Sequence, residues 1–289
     1  MADSNPEPRV ARVPVPVDTR APGGATNAHV AGGLLVDPAA RTDALDAAVG
    51  LGGAGGSGGE RSEEDGGTAI DAIAVTHTHP DHVGAVAEYA ELTDAPVLAH
   101  AGHADRFAAA TGVEPDGTFG DGEAVGETSV RAVDTPGHAP DHVAFEFAEE
   151  RGGADDGDPS RALLCGDLAV AEGSVVVGAP EGDLGEYLDG LERVRDAGYD
   201  RLYPGHGPVI DDPEGVCDRL IEHRLNRERA VLAAVECGAR DVDAVVDAAY
   251  EKDLTGVADL ARATVVAHLK KLLAEGRLDE EWADRLARE

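Results

Sequence analysis

Four side chains able to bind a divalent metal crowd into THTHPDHVG at residues 76–84, where His77, His79, Asp81 and His82 fall within six positions. Imidazole nitrogen and carboxylate oxygen suit a borderline-soft divalent ion, and packing four of them onto one turn requires an attractive centre between them. Three further candidates follow at the ends of apolar runs: His138 in TPGHAPDHV, Asp167 in LLCGDLAV and His206 in YPGHGPVI. Each has a glycine nearby, which lets backbone approach a site closely. Any one of these histidines alone is as easily a polar loop residue or a satisfied core group. As a set they point to metal, because six of the eleven histidines lie in these few motifs. His142, four residues beyond His138, reads as the opening of a strand, with an outer contact to the site as the alternative. His29, His100, His103, His223 and His268 lack such context and are assigned to surface or packing, although the early strand bearing His29 could end at a cleft.

Strands and helices must bring these motifs together. Alternating or compact apolar runs at 10–17, 26–30 and 33–37 read as strands, the last closed by Pro38. Residues 41–49 have helical spacing with Thr42 as a cap, and they run into a glycine-rich segment at 51–67 whose composition marks a surface insertion. A buried strand at 69–75 leads into the histidine cluster and helical periodicity resumes at 82–92, so the cluster occupies a strand-to-helix loop. Further strands are expected at 96–99, 129–133, 142–147, 162–165 and 201–203, and helices at 104–110 and 183–197. After Asp212 the pattern is helical, at 213–236, 241–250 and 258–274, which divides the chain into residues 1–210 and 211–289. The run HLKKLLAEGRL, a basic helix followed by a glycine turn and an apolar residue, is similar to the end of a winged-helix unit.

With 289 residues, 42% of them hydrophobic, the chain is long and apolar enough to fold around a sizeable core. Lys and Arg number 24 against 57 Asp and Glu, a net charge of −33, and the only lysines are Lys252, Lys270 and Lys271. The carboxylates are spread along the chain, which fits a halophilic surface better than an acidic tail. Such charge repels nucleic acid at low ionic strength, but in ~1 M salt the Debye length is about 3 Å and only local charge acts, so a polyanionic substrate is not excluded. Cys165, Cys217 and Cys237 show no paired short spacing, which argues against a disulfide framework and a cysteine zinc site. The N-terminus is acidic with no apolar run behind it and no stretch reaches the length of a membrane span, so a cytoplasmic protein without a membrane partner is expected. No feature specifies an oligomeric state.

The order HxHxDH, TPGH, GD and PGHG across residues 26–208 resembles the metallo-β-lactamase superfamily, an α+β fold in which two sheets and flanking helices form an αββα sandwich. The resemblance implies two zinc ions per chain: His77, His79 and His138 around the first, Asp81, His82 and His206 around the second, and Asp167 bridging them. TNAHV with LLVDP, then TPGHAPDHVAF, PGHGPVI, HRLNRERAVL and HLKKLLAEGRL, extend the likeness to the lactamase-beta-2-like branch. The animal mitochondrial member of that branch is a single-strand RNA endonuclease with a winged-helix-like C-terminal unit. This chain departs from the pattern in the 51–67 insertion, a hairpin-like segment at 151–161 and the acidic surface.

Two metal ions roughly 3.5–4 Å apart bring a shared water toward a neutral pKa and polarise the scissile oxygen, making hydroxide the nucleophile. Asp81 would bind metal and also guide the proton to the leaving group, so Asp81 and Asp167 are the expected catalytic carboxylates. Substrate contacts are expected from Tyr203, from Arg224 and Arg227 on one helix face, and from Lys270 beside Lys271. The plain alternatives are packing for Tyr203, ion pairs with Glu222 and Glu228 for the arginines, and a solvated face for the lysines. The first expectation is a metal-dependent hydrolase cutting single-stranded RNA. The alternative is a glyoxalase II-like hydrolase of a small ester or thioester, against which stand the PGHGP context of His206 and the winged-helix-like ending. Iron and manganese share these donors. An iron-dependent oxidoreductase of the same fold fits less well, because flavodiiron proteins usually have Glu where His79 stands and carry a flavodoxin-like domain that has no counterpart in this chain. A nucleic-acid-binding module with an inactive first domain conflicts with the complete donor set.

Overall fold

The computed structural model describes residues 10–21, 23–51, 69–149, 160–250 and 253–288. A first sheet joins, in this order, β1 (Ala11–Pro16), β2 (Ala25–Ala31), β3 (Leu34–Val36) and β4 (Ala72–Ala74). Between its last two strands lies α1 (Asp43–Ala48), whose first turn is closed by Leu45 N donating to the Thr42 hydroxyl at 3.1 Å. After β4 come α2 (Pro80–Val83), α3 (Val86–Thr93), β5 (Leu98–His100), α4 (Ala104–Thr111) and β6 (Gly117–Phe119), with β5 and β6 paired in parallel. The second sheet is built from β7 (Arg131–Asp134), β8 (Val143–Glu149), β9 (Ser160–Gly166) and β10 (Arg201–Pro204), ordered β10-β9-β8-β7, with α5 (Leu184–Ala197) connecting β9 to β10. The chain continues as α6 (Pro213–Glu236), α7 (Val242–Ala249), α8 (Ala258–Ala274) and α9 (Glu281–Leu286).

The period-two alternation of each strand sorts its side chains into layers. On β3, Leu35 packs toward Leu45, Val86 and Tyr89 of the outer helices, while Leu34 and Val36 face the other sheet. On β9, Leu164 enters the same inter-sheet layer, and Leu163 and Cys165 turn to α5 and the start of α6. The result is an αββα sandwich of the α+β class. The inner strands are covered on both faces, which is why β3, β4 and most of β9 read as compact apolar runs, whereas the edge strand β1, with Arg12, Pro14 and Pro16 exposed, alternates.

Helix α6 belongs to two clusters. Cys217 and Leu220 pack on α5 and β10, and Val231 and Ala234 pack with Val245, Val265 and Trp282 of the later helices. Among the described residues after Asp212 there is no strand, and the glycine turn at Gly276 (φ 69°) leads toward α9.

The helix expected over 82–92 is broken into α2 and α3. The cause is a close crossing: a Cβ on Gly84 would sit 2.4 Å from Ala39 O, and Ala85 N donates to Pro38 O at 2.8 Å, so the chain steps sideways there. The short strand β6 and helix α9 were not expected. Most of the 51–67 segment and of the 151–161 segment lies outside the described residues. The three cysteines are free, with Cys165 and Cys217 buried. No described helix is long and apolar enough to cross a membrane.

Candidate metal centre

Strand β4 delivers the HTHPDH turn, and buried hydrogen bonds fix how its imidazoles face. The Asp37 carboxylate accepts from Thr76 N at 2.7 Å, from the Thr76 hydroxyl at 2.8 Å and from His82 Nδ1–H at 3.0 Å. Because the Thr76 proton is spent on Asp37, its oxygen can only accept from His77 Nδ1–H at 3.1 Å. That accounting leaves the Nε2 lone pairs of His77 and His82 for the site. His79 is turned the other way, with Nε2 donating to Glu181 at 3.2 Å and Nδ1 facing inward. At the rim, the Thr19 hydroxyl donates to Asp81 at 2.6 Å.

The second sheet supplies the other donors from its connecting loops. His138 Nδ1 donates to Val176 O at 2.8 Å and His206 Nδ1 to Ala25 O at 2.9 Å, so both present Nε2 inward. The Asp167 amide donates to His142 Nε2 at 3.0 Å, and His142 in turn donates from Nδ1 to Thr135 O at 3.0 Å. His142 therefore acts behind the site, holding Asp167 in place. The His206 loop is clamped by Asn27, whose side-chain amide donates to Pro204 O and Gly207 O at 2.9 Å each. Only glycine fits at 205, since a Cβ there would lie 2.6 Å from Asp167 Oδ1 and 2.9 Å from the His82 ring.

All seven donors converge. Three interlocking groups, His77 with His79 and His138, His77 with His82 and Asp167, and Asp81 with His82 and His206, each keep their donor atoms within 4.8 Å of one another. Asp167 lies 3.4 Å from His206 Nε2, 3.6 Å from His138 Nε2 and 3.8 Å from His82 Nε2. Two contacts show what the cluster fits. His79 Nδ1 is 2.9 Å from His77 Nε2 and 3.0 Å from His138 Nε2, although the outward bonds leave all three nitrogens as lone pairs. His82 Nε2 and Asp167 Oδ1 are buried without a hydrogen-bond partner. Lone pairs so close repel unless a cation sits among them, and buried polar atoms without partners call for one.

The electrostatics agree. Burial, reinforced by His82 and His138, holds His77 well below the ordinary imidazole pKa and so in its metal-binding form. Burial also acts to lower His82, but the Asp37 carboxylate outweighs it and lifts the group to about 9, so a proton and a metal ion compete for its Nε2. Burial acts to raise Asp167, yet the His206 hydrogen bond and the surrounding imidazoles bring it below the usual carboxylate range. The pocket draws positive charge inward.

A cleft of about 820 Å³ opens onto Asp81, His79, His138, Asp167 and His206. The expected substrate contacts do not line it. Tyr203 falls on the inter-sheet side of β10, between Phe147 and His29, and its hydroxyl donates to Glu149 at 2.5 Å. Arg224 is 3% exposed behind the cleft wall, donating to Val175 O with its guanidinium over the Tyr187 ring. Arg227 donates to Ala249 O and stacks on Tyr250 at 3.7 Å. Neither arginine takes Glu228, which accepts from Lys271 at 2.7 Å and Arg277 at 2.5 Å. Lys270 is exposed on α8, away from the cleft lining.

Several residues near the site were not singled out from sequence. Asp37, Asn27 and Asp141 stand inside the motifs LLVDP, TNAHV and TPGHAPDHV, so their signal was present. Arg106 and Glu181 had none. Arg106 donates to Thr78 and Asp141 at 2.8 and 3.1 Å and to Glu181 at 2.8 Å, tying the HTHPDH turn to the loop that orients His79.

Residues 22–206 match the metallo-beta-lactamase superfamily, and the chain belongs to it; the superfamily is generally one of metal-dependent hydrolases, and the His/Asp cluster has donor groups that can hold a metal ion. Among relatives, a beta-lactamase-like protein 2 homolog of Drosophila melanogaster is 32% identical over 238 residues, 74% of each chain. Its Caenorhabditis elegans counterpart is 34% identical over 173 residues, 58% of this chain and 52% of that one, so this chain spans about half the length of that relative. An atrochrysone carboxyl ACP thioesterase of Aspergillus fumigatus is 32% identical over 185 residues, 62% of this chain and 51% of that one. A metallo-beta-lactamase family protein of Thermus thermophilus superposes with a TM-score of 0.67 at 25% identity, covering 92% of this chain and 94% of that one.

Proposed function

We propose that the chain is a dizinc hydrolase of acyl esters and thioesters, working in concentrated salt. The observation that carries this reading is the character of the cleft beside the donors. Among its described lining residues the only Lys or Arg is Arg20, and its guanidinium is engaged by Asp259 at 2.5 Å, whereas Asp18 and Glu172 add negative charge. Nucleic-acid binding draws its strength from Lys and Arg side chains placed along the run of phosphates. A neutral acyl group needs none. The thioesterase relative supports the same substrate class.

By the family division, His77, His79 and His138 would hold one ion, Asp81, His82 and His206 the other, and Asp167 would lie between them. Such ions supply a water of near-neutral pKa and withdraw electron density from the scissile carbonyl. The protein's part is orientation: Asp37 and Thr76 fix the tautomers of His82 and His77, and His142 fixes the Asp167 backbone. Asp81, whose carboxylate accepts from the Thr19 hydroxyl at the rim, would receive a proton and pass it to the leaving thiolate or alkoxide.

A second reading, cleavage of single-stranded RNA with the C-terminal unit acting as a winged-helix-like partner through Lys270, draws on the extent of the likeness to the beta-lactamase-like protein 2 homolog of Drosophila. One experiment separates the two. Protein purified at multimolar salt is analysed for metal by mass spectrometry, then offered acyl thioesters and labelled single-stranded RNA, as wild type and as Asp167→Ala. About two zinc ions per chain, with thiol release lost in the variant, is the expected result. RNA cleavage without thiol release would replace the substrate class, and protein that neither carries nor rebinds a divalent metal would overturn the centre.

A further inference from the structure

The cleft is larger than a scissile carbonyl requires, and two segments without metal donors build much of its wall. The strap at 170–180 contributes Val170, Val175 and Val176, and the first turns of α8 contribute Leu260 and Ala263. Strap and helix form one surface. Ala179 N donates to Ala263 O at 3.0 Å, and a Cβ on Gly178 would lie 2.9 Å from that of Ala263, so the absence of a side chain at 178 lets the two segments meet. Val176 nevertheless leaves 39% of its surface bare, one of three large apolar side chains so exposed among the described residues. An apolar side chain left open within a concave, mostly apolar lining is where an apolar ligand gains most from leaving water. The carboxylates of Asp18 and Glu172 along the same cleft disfavour an anionic one.

We propose that this wall, made jointly by the strap and α8, binds the uncharged aliphatic acyl chain of the thioester substrate. The inference rests on the thioesterase reading above, and it gives the C-terminal helices a direct part in substrate choice. Each methylene laid against Val176 and Leu260 leaves water, so selectivity should rise with chain length until the wall ends.

The test uses the zinc-loaded full chain at multimolar salt. Thioesters of N-acetylcysteamine from acetyl to decanoyl are assayed by thiol release, and the matching S-alkyl thioethers, which cannot be hydrolysed, are titrated by calorimetry. Both kcat/KM and thioether affinity are expected to rise roughly two- to fourfold per methylene. The slope should flatten in Leu260→Asp and in Val176→Asp, and persist in Leu225→Asp, which alters an exposed apolar residue on α6 away from the cleft lining. Thioesters cleaved with no dependence on chain length in either measurement would overturn the acyl wall while leaving the hydrolase reading intact. Thioether affinity that climbs with chain length while no thioester is cleaved would keep the apolar wall and overturn the thioesterase reading.

Discussion

The inner and outer sides of the metal centre are held by different means. On the inner side, the side chains of His82 and Asp37 are 0% and 1% exposed, and each bond that orients His77, His82 or Asp167 lies away from water. On the outer side, His79 is oriented by Glu181, whose side chain is 38% exposed, and Asp81 by Thr19 at the rim. Water can replace the outer partners but not the inner ones. Removing an inner partner strands buried polar atoms and should cost fold and metal together, whereas removing an outer one should loosen only the metal.

Asp37→Asn is the most severe break of the inner side. The amide keeps the shape and tolerates the left-handed conformation at this position (φ 53°), but its NH₂ group faces protons donated by Thr76 or His82. A loss of about 3 kcal/mol in denaturant melts is expected, together with a 10- to 100-fold loss in zinc affinity by chelator competition, as a rough range. Glu181→Gln sharpens the contrast: zinc affinity should fall about tenfold while the melt stays within about 0.5 kcal/mol of wild type. A Glu181→Gln protein as destabilised as Asp37→Asn would erase the distinction between the two sides. The mildest change is Thr19→Val, which removes the hydroxyl from Asp81; a roughly threefold loss in zinc affinity at unchanged stoichiometry is expected from one rim hydrogen bond. A lost metal equivalent there would mean that the rim is as tightly built as the interior.

The donors were legible in the sequence because they come in short runs at strand ends, where spacing alone brings His77, His79, Asp81 and His82 to one turn. The strands were legible as apolar runs, and their arrangement as a sandwich followed from the family resemblance. What orients the donors was harder to read, because tertiary folding makes those pairs: Asp37 meets His82 across 45 positions and Glu181 meets His79 across 102. Tyr203, Arg224 and Arg227 misled for a related reason. Their chemistry suits a substrate, but strand alternation turns Tyr203 between the sheets, and α6 turns Arg224 behind the strap. The division of 82–92 into two helices depends on backbone contact with Pro38 and Ala39, which no periodicity encodes.

The Asn27 clamp also sets an order of events in biosynthesis. Its side chain closes on Pro204 and Gly207, 177 and 180 positions further along, and its backbone N–H donates to Gly205 O. A ribosome-bound chain can therefore fold its first hairpin early yet cannot seat that hairpin's end until the PGHG loop has emerged, and closing so long a span is slow. Until then the His206 ring cannot reach its acceptor at Ala25, and the donors from the two sheets cannot meet.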